Sequence, residues 1–221
     1  MPAIQIDRLR SQVAALAEHF SQPDRLISSL HDLLDFYANR TLRPGLASTH
    51  TPRLPHYNTP LPVLRELERQ LTALAAAKDP SEGLRLVDAL WRDGSHESRL
   101  LAVALLAHVP CPVVEVTARV VRWAQPGEDT HVLAALMEKT KEKLDREAPG
   151  AWMQLVEQRL GTTAAGEQSI GLLALRLVIE DPTFENFPAV FRLLSPLVQS
   201  PGGPLSQDLA RVIQLLAART P

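Results

Sequence analysis

Apolar side chains recur every three or four residues along almost the whole chain, which is the spacing of one face of an α-helix. One such stripe contains Leu9, Val13 and Leu16, and a second begins after Pro23. Two later segments, Leu100–Leu106 and 166–179, are apolar nearly all round, as expected of central helices. Short turns rich in Pro and Gly separate these segments, so the pattern predicts about eleven helices and no β-hairpin.

Wholly apolar helices alternate with amphipathic ones, and the joining turns are short. This alternation predicts an all-α fold, an α-solenoid or superhelix of degenerate HEAT-like helix pairs that forms a single domain over residues 1–221. Because the sequence has no crisp repeat consensus, a compact helical bundle stays open as the alternative.

Two segments fit the helical pattern less well. Residues Val113–Trp123 are rich in β-branched side chains and alone could form a strand, but their apolar spacing favours a helix. Residues 41–62 contain five prolines, Pro44, Pro52, Pro55, Pro60 and Pro62. Since proline is excluded from helix interiors, we expect a long ordered loop or a hinge there.

Composition excludes several classes of protein. The 221 residues carry a net charge of −2, so a nucleic acid or an anionic membrane would have to be held by a local basic patch. The single cysteine, Cys111, cannot form a disulfide framework within the chain. Because no basic leader, long apolar run, zinc cluster or nucleotide-binding fingerprint occurs, we expect a cytoplasmic protein without membrane contact, metal or cofactor.

Three short motifs in the first half of the chain resemble a known family. The first is Tyr57–Leu67, in which an aromatic and a small polar residue precede a Pro-containing helix start with Arg65. The second is the pair Leu90-Trp91 at the end of a helix. The third is Glu97-Ser98-Arg99, directly before the apolar helix. Their order is similar to that in the AlkD-like DNA alkylation repair proteins over about residues 57–109. The resemblance implies a HEAT-like superhelix with a concave basic face for duplex DNA, and excision of cationic N-alkylated purines.

Enzymes of that family carry a Trp-Asp-x-x-Asp string, whose second Asp stabilises the positive charge that builds on the sugar as the base leaves. The nearest string here runs from Glu128 to Val132, so Val132 stands where the resemblance places the carboxylate. A second family feature is an arginine before a later apolar helix. It would fall near Gln168-Ser169, where no arginine occurs. Asp129 and Glu128 are the candidates for a relocated carboxylate, although Asp129 at a helix start is more simply an N-cap.

Basic residues concentrate between Asp35 and Glu66, where no acidic residue occurs. Arg43, Arg53 and Arg65 in this stretch, together with Arg99, are the candidate binding residues for DNA phosphates. The alternative is that these arginines simply solvate a Pro-rich loop.

Three further interpretations concern single residues and one helix face. Trp91 could line a nucleic-acid groove but is expected in the core. Glu97 is expected to cap its own helix rather than pair with a neighbouring arginine, and Arg99 is its companion on the exposed side. The mixed charges of 138–147 are expected to form a solvated face.

Two hypotheses for function follow. In the first, the chain is a non-catalytic helical-repeat module that binds a protein or nucleic-acid partner, such as duplex DNA, in its groove. In the second, it is a DNA glycosylase that excises N-alkylated purines with a relocated catalytic carboxylate at Asp129 or Glu128.

Overall fold

The computed structural model describes residues 5–38, 54–199 and 205–219, and these residues form helices and connecting segments without a β-strand. The helices are α1 (Ile6–Ala17), α2 (Pro23–Tyr37), α3 (Leu61–Ala77), α4 (Pro80–Asp93), α5 (His96–Leu106), α6 (Val113–Trp123), α7 (Thr130–Glu147), α8 (Ala151–Leu160), α9 (Ala165–Glu180), α10 (Phe187–Val198) and α11 (Ser206–Arg219). For the described residues, both the all-α class and the expected number of about eleven helices are confirmed, and the β-branched segment 113–123 is a helix. Within these residues, no helix is long and apolar enough to cross a membrane.

Local sequence signals set the helix boundaries near the first site of interest. The side chain of Asp79 accepts a hydrogen bond from the Ser81 backbone N–H and caps α4. Gly94 ends α4 with φ +80°, a left-handed conformation that glycine adopts without a steric penalty. Directly afterwards, Ser95 caps α5 by accepting from the Ser98 N–H. The tight Gly94-Ser95 turn thus places the start of α5 beside the end of α4.

Two compact units make up the chain. The first runs through Pro112 and includes Asp129–Ala135. In it, α1 packs on α2 and α3, α2 on α4, and α5 on both α3 and α4. Contacts between helices one or two positions apart in the chain are typical of stacked helix pairs. The core of this unit consists of fully buried side chains, among them Leu26, Leu67, Leu90 and Leu105.

The second unit comprises Val113–Glu128 and the chain from Leu136 onward. Here α9 packs against α8 and α11. A buried cation, Arg159, donates to the Val121 carbonyl oxygen at 2.8 Å and forms an ion pair with Glu167. These partners offset part of the cost of burying the guanidinium. That the two units form one domain stays a prediction.

Two expectations need correction. The Pro-rich loop was expected to end at residue 62, but α3 begins at Leu61 and Pro62 lies in its first turn, where the N–H that proline lacks needs no helical partner. Residues 39–53, which include Arg43 and Arg53, lie outside the described residues. The 138–147 face is not wholly solvated, because the side chain of Lys143 is 1% exposed and its Nζ lies 2.9 Å from Glu147 Oε1.

Candidate functional site

Residues 54–60, the segment that leads into α3, lie against the first turn of α5. The carbonyl oxygen of Pro55 accepts from the His96 N–H at 2.9 Å. The Glu97 side chain is fully buried, and its carboxylate accepts from the backbone N–H groups of Tyr57 at 3.1 Å and Thr59 at 3.4 Å. The expected role of Glu97 was therefore wrong: Ser95 caps α5, and Glu97 holds a distant segment of the chain.

The backbone of segment 54–60 is shaped for this contact. Asn58 has φ +55°, and asparagine is one of the few residues with a side chain that adopts this left-handed conformation readily. It lies between the two residues, Tyr57 and Thr59, whose N–H groups reach the same carboxylate. His56 adds a third partner, since its Nδ1 lies 3.0 Å from Glu97 Oε1. Several donors thus compensate the buried charge.

Three histidines from separate parts of the chain meet beside this contact. The rings of His56 and His96 are edge to face, with centroids 4.7 Å apart. The rings of His96 and His131 are stacked at 5.2 Å, and His131 Nδ1 lies 3.2 Å from His96 Nε2. Asp129 Oδ1 lies 3.7 Å from the other nitrogen of His96, Nδ1. We call Asp129, His96 and His131 the histidine row.

The surroundings of His96, its central member, disfavour the charged form of that ring. Burial lowers the pKa of His96, and the positive charge of His56 lowers it further, against the opposite effect of Asp129 and Glu97. His96 is therefore neutral at neutral pH. By contrast, the side chain of His131 is exposed.

A second group of polar contacts lies at the end of α4. His31 Nε2 is 2.8 Å from Asp93 Oδ1. Burial by itself raises the pKa of Asp93, but hydrogen bonds from His31, Ser98 and Ser95 outweigh it, so the pKa falls below its usual value. Burial also raises the pKa of Tyr57, and the negative charges of Asp93, Asp35 and Glu97 add to this effect. At neutral pH, Asp93 is an anion and Tyr57 keeps its proton.

Trp91 and Arg99 form a cation–π pair on neighbouring helices. The guanidinium carbon of Arg99 lies 4.8 Å from the centroid of the Trp91 ring. Trp91 is half-buried rather than part of the core, so that expectation was wrong. The indole packs against the guanidinium of Arg99, and its ring stays partly accessible.

The two candidate catalytic residues differ in their surroundings. Asp129 Oδ1 accepts from the N–H groups of His131 at 3.0 Å and Val132 at 3.1 Å, so Asp129 caps α7. Glu128 lies in the turn before this cap, where its N–H donates to the Gln125 carbonyl oxygen. Val132 has no exposed surface. The position where the resemblance places a carboxylate is therefore occupied by a packed core side chain.

Of the four candidate binding arginines, the structure describes two. Arg65 is exposed in the first half of α3, and Arg99 is half-buried on α5, which packs against α3 in the same unit. Arg43 and Arg53 belong to the residues that are not described. The proposal that these four act together on phosphates thus stays a prediction.

Sequence reasoning missed the histidine row. Residues 56, 96 and 131 are far apart in sequence, so no local pattern brings their rings together. The one available signal was that His96 and His131 lie beside or close to a carboxylic residue near a helix start. Among the described residues, no group of three or more His, Cys, Asp or Glu side chains is arranged to hold a metal ion.

Comparison with known families gives one match. The model of a family described as "DNA alkylation repair enzyme" matches residues 30–140, which is half of the chain. This range contains segment 54–60, the whole histidine row and Val132. Neither the comparison with curated proteins nor that with solved structures gives a significant match. On the strength of the family match, the chain belongs to the DNA alkylation repair enzyme family.

Proposed function

We propose that this protein binds duplex DNA as a member of its family but does not excise alkylated bases. Family membership supports the DNA-related role. The proposed absence of base excision is supported by Val132, which is fully buried in the first turn of α7. By the resemblance, this is the position of the carboxylate that excision requires.

Base excision needs a negative charge close to the sugar, because its transition state resembles an oxocarbenium ion. An aliphatic side chain supplies no such charge. Asp129 is three residues earlier, but its Oδ1 already accepts two backbone N–H groups at the start of α7. Those hydrogen bonds fix its carboxylate against its own helix, which supports a structural role for Asp129.

For the binding surface, we propose Arg43, Arg53, Arg65 and Arg99. Each charged side chain that neutralises a phosphate releases condensed counterions, so a local cluster binds DNA even though the net charge of the chain is −2. Arg65 is exposed, as a phosphate contact requires. Three of the four lie in the longest stretch without an acidic residue.

The triple variant R43A/R53A/R65A is expected to bind a short unmodified duplex more weakly and with a flatter salt dependence. Loss of three phosphate contacts lowers the slope of log affinity against log salt concentration by up to about 2.7, since each contact contributes about 0.9. Fluorescence anisotropy of a labelled duplex across a salt series measures both quantities.

The matched control is R122A/R192A/R211A, which removes the same charge from exposed arginines of the second unit. Its slope should equal that of the wild type. If the wild type does not bind at low salt, DNA binding is refuted. If both triple variants lower the slope equally, the basic stretch has no special role.

A further inference from the structure

The histidine row has a defined set of proton positions. Only one proton fits between His131 Nδ1 and His96 Nε2, which are 3.2 Å apart, so one nitrogen donates and the other accepts. Asp129 decides which. Its carboxylate lies 3.7 Å from His96 Nδ1 and favours a proton on that nitrogen, because a bare ring nitrogen would face it lone pair to lone pair. His96 Nε2 is then the acceptor, and His131 Nδ1–H is the donor.

This arrangement leaves His131 Nε2 as the place for one added proton. An imidazolium on His131 keeps its Nδ1–H donated to His96, so the hydrogen bond survives protonation. A second proton, on His96, would set donor against donor and break it. The lowered pKa of His96, caused first by burial and then by the charge of His56, disfavours a proton on that ring. The geometry therefore places an added proton on the exposed member of the row.

We infer that protonated His131, oriented by His96 and Asp129, contacts a phosphate of bound duplex DNA. The inference rests on the proposed DNA-binding function. It predicts a contact between His131 and a DNA phosphate that forms as the pH falls. Imidazole is the one side chain whose ordinary titration range lies between about pH 5 and 8. Affinity for DNA should then rise over this range as the pH is lowered, because a new cation meets a phosphate.

The charged and titratable groups around His96 lie in three parts of the chain. Those that act on His96 come from His56 in segment 54–60, Glu97 on α5, and Asp129 and His131 at the start of α7. Glu97 is fully buried. The Asp129 carboxylate accepts two N–H groups at the positive end of the α7 helix dipole, which offsets its charge.

The test compares wild type, H131Q and H108Q by anisotropy with the same unmodified duplex at about pH 7.5 and about pH 5.5, each across a salt series. His108 is the matched control, because it is exposed and outside the row. For wild type and H108Q, we expect affinity about three- to tenfold higher at the lower pH and a salt slope steeper by about 0.9, the value for one added phosphate contact. In H131Q, both pH effects should be absent.

A second variant, H96A, tests the positioning role through the pH profile. It removes the acceptor for His131 Nδ1–H, so the pH-dependent gain should be smaller than in the wild type. Circular dichroism checks that each variant is folded. A pH-dependent gain that persists in H131Q, or wild-type affinity that does not change with pH, overturns this inference and leaves the proposed function standing. If the wild type binds DNA at neither pH, the proposed function fails and the inference fails with it.

Discussion

Replacing Glu97 with alanine is expected to lower the free energy of unfolding by about 3–5 kcal/mol, because several donors lose a charged acceptor in a buried place. The carboxylate is fully buried and holds the N–H groups of Tyr57 and Thr59 together with the ring of His56. Without it, segment 54–60 loses its side-chain attachment to α5 and keeps the hydrogen bond from the His96 N–H to the Pro55 carbonyl oxygen. Urea denaturation followed by circular dichroism measures the loss.

Two further variants serve as controls for the effect of E97A on stability. E97Q keeps one acceptor oxygen but not the charge, so its loss should be smaller, about 1–2 kcal/mol. E142A removes the same side chain from an exposed site, 58% accessible, and should change stability by less than about 0.5 kcal/mol. An E97A protein as stable as E142A would show that the carboxylate does not hold the segment.

Val132→Asp is expected to destabilise the protein by about 3–5 kcal/mol, although it restores the carboxylate of the family string. Val132 has no exposed surface, so the new carboxyl group would be buried either charged without a partner or protonated. A favourable interaction with the dipole at the start of α7 recovers at most about 1 kcal/mol of this cost. Thermal and urea denaturation of the variant measure the effect.

The chain offers a matched control for this substitution. Val114 also lies in the first turn of a helix, α6, but is 68% exposed. V114D makes the same chemical change without burial and should be nearly neutral. Equal stability of V132D and V114D would contradict the assignment of Val132 to the core, and with it the reason for which we propose that the protein lacks excision activity.

Most of the fold could be predicted because it depends on local periodicity. The spacing of Val113, Val116 and Val120 identified α6 as a helix against the strand preference of its β-branched residues. The prediction for Pro62 failed because the effect of a proline depends on its position within the helix. Pro62 was assigned to a loop by its general incompatibility with helices, yet the first turn of α3 accepts it.

The candidate site was harder to predict because it depends on contacts between distant residues. Glu97 has the local appearance of a first-turn acid, and nothing in its own helix reveals that residues 57 and 59 donate to it. The row of Asp129, His96 and His131 likewise exists only once the start of α7 meets the start of α5. Asp129 was predictable as a cap, since that contact spans only three residues.

The most direct test of the account is to measure excision and binding in one sample. Duplex DNA that carries N-methylated purines is incubated with an excess of protein, and abasic sites are scored while anisotropy reports the bound fraction. We expect saturable binding with no more abasic sites than the DNA forms alone. Release of methylated purines by the wild type above that background would contradict the account. If this release is lost in D129A or when Glu128 is replaced by Gln, the protein is a glycosylase with a relocated carboxylate.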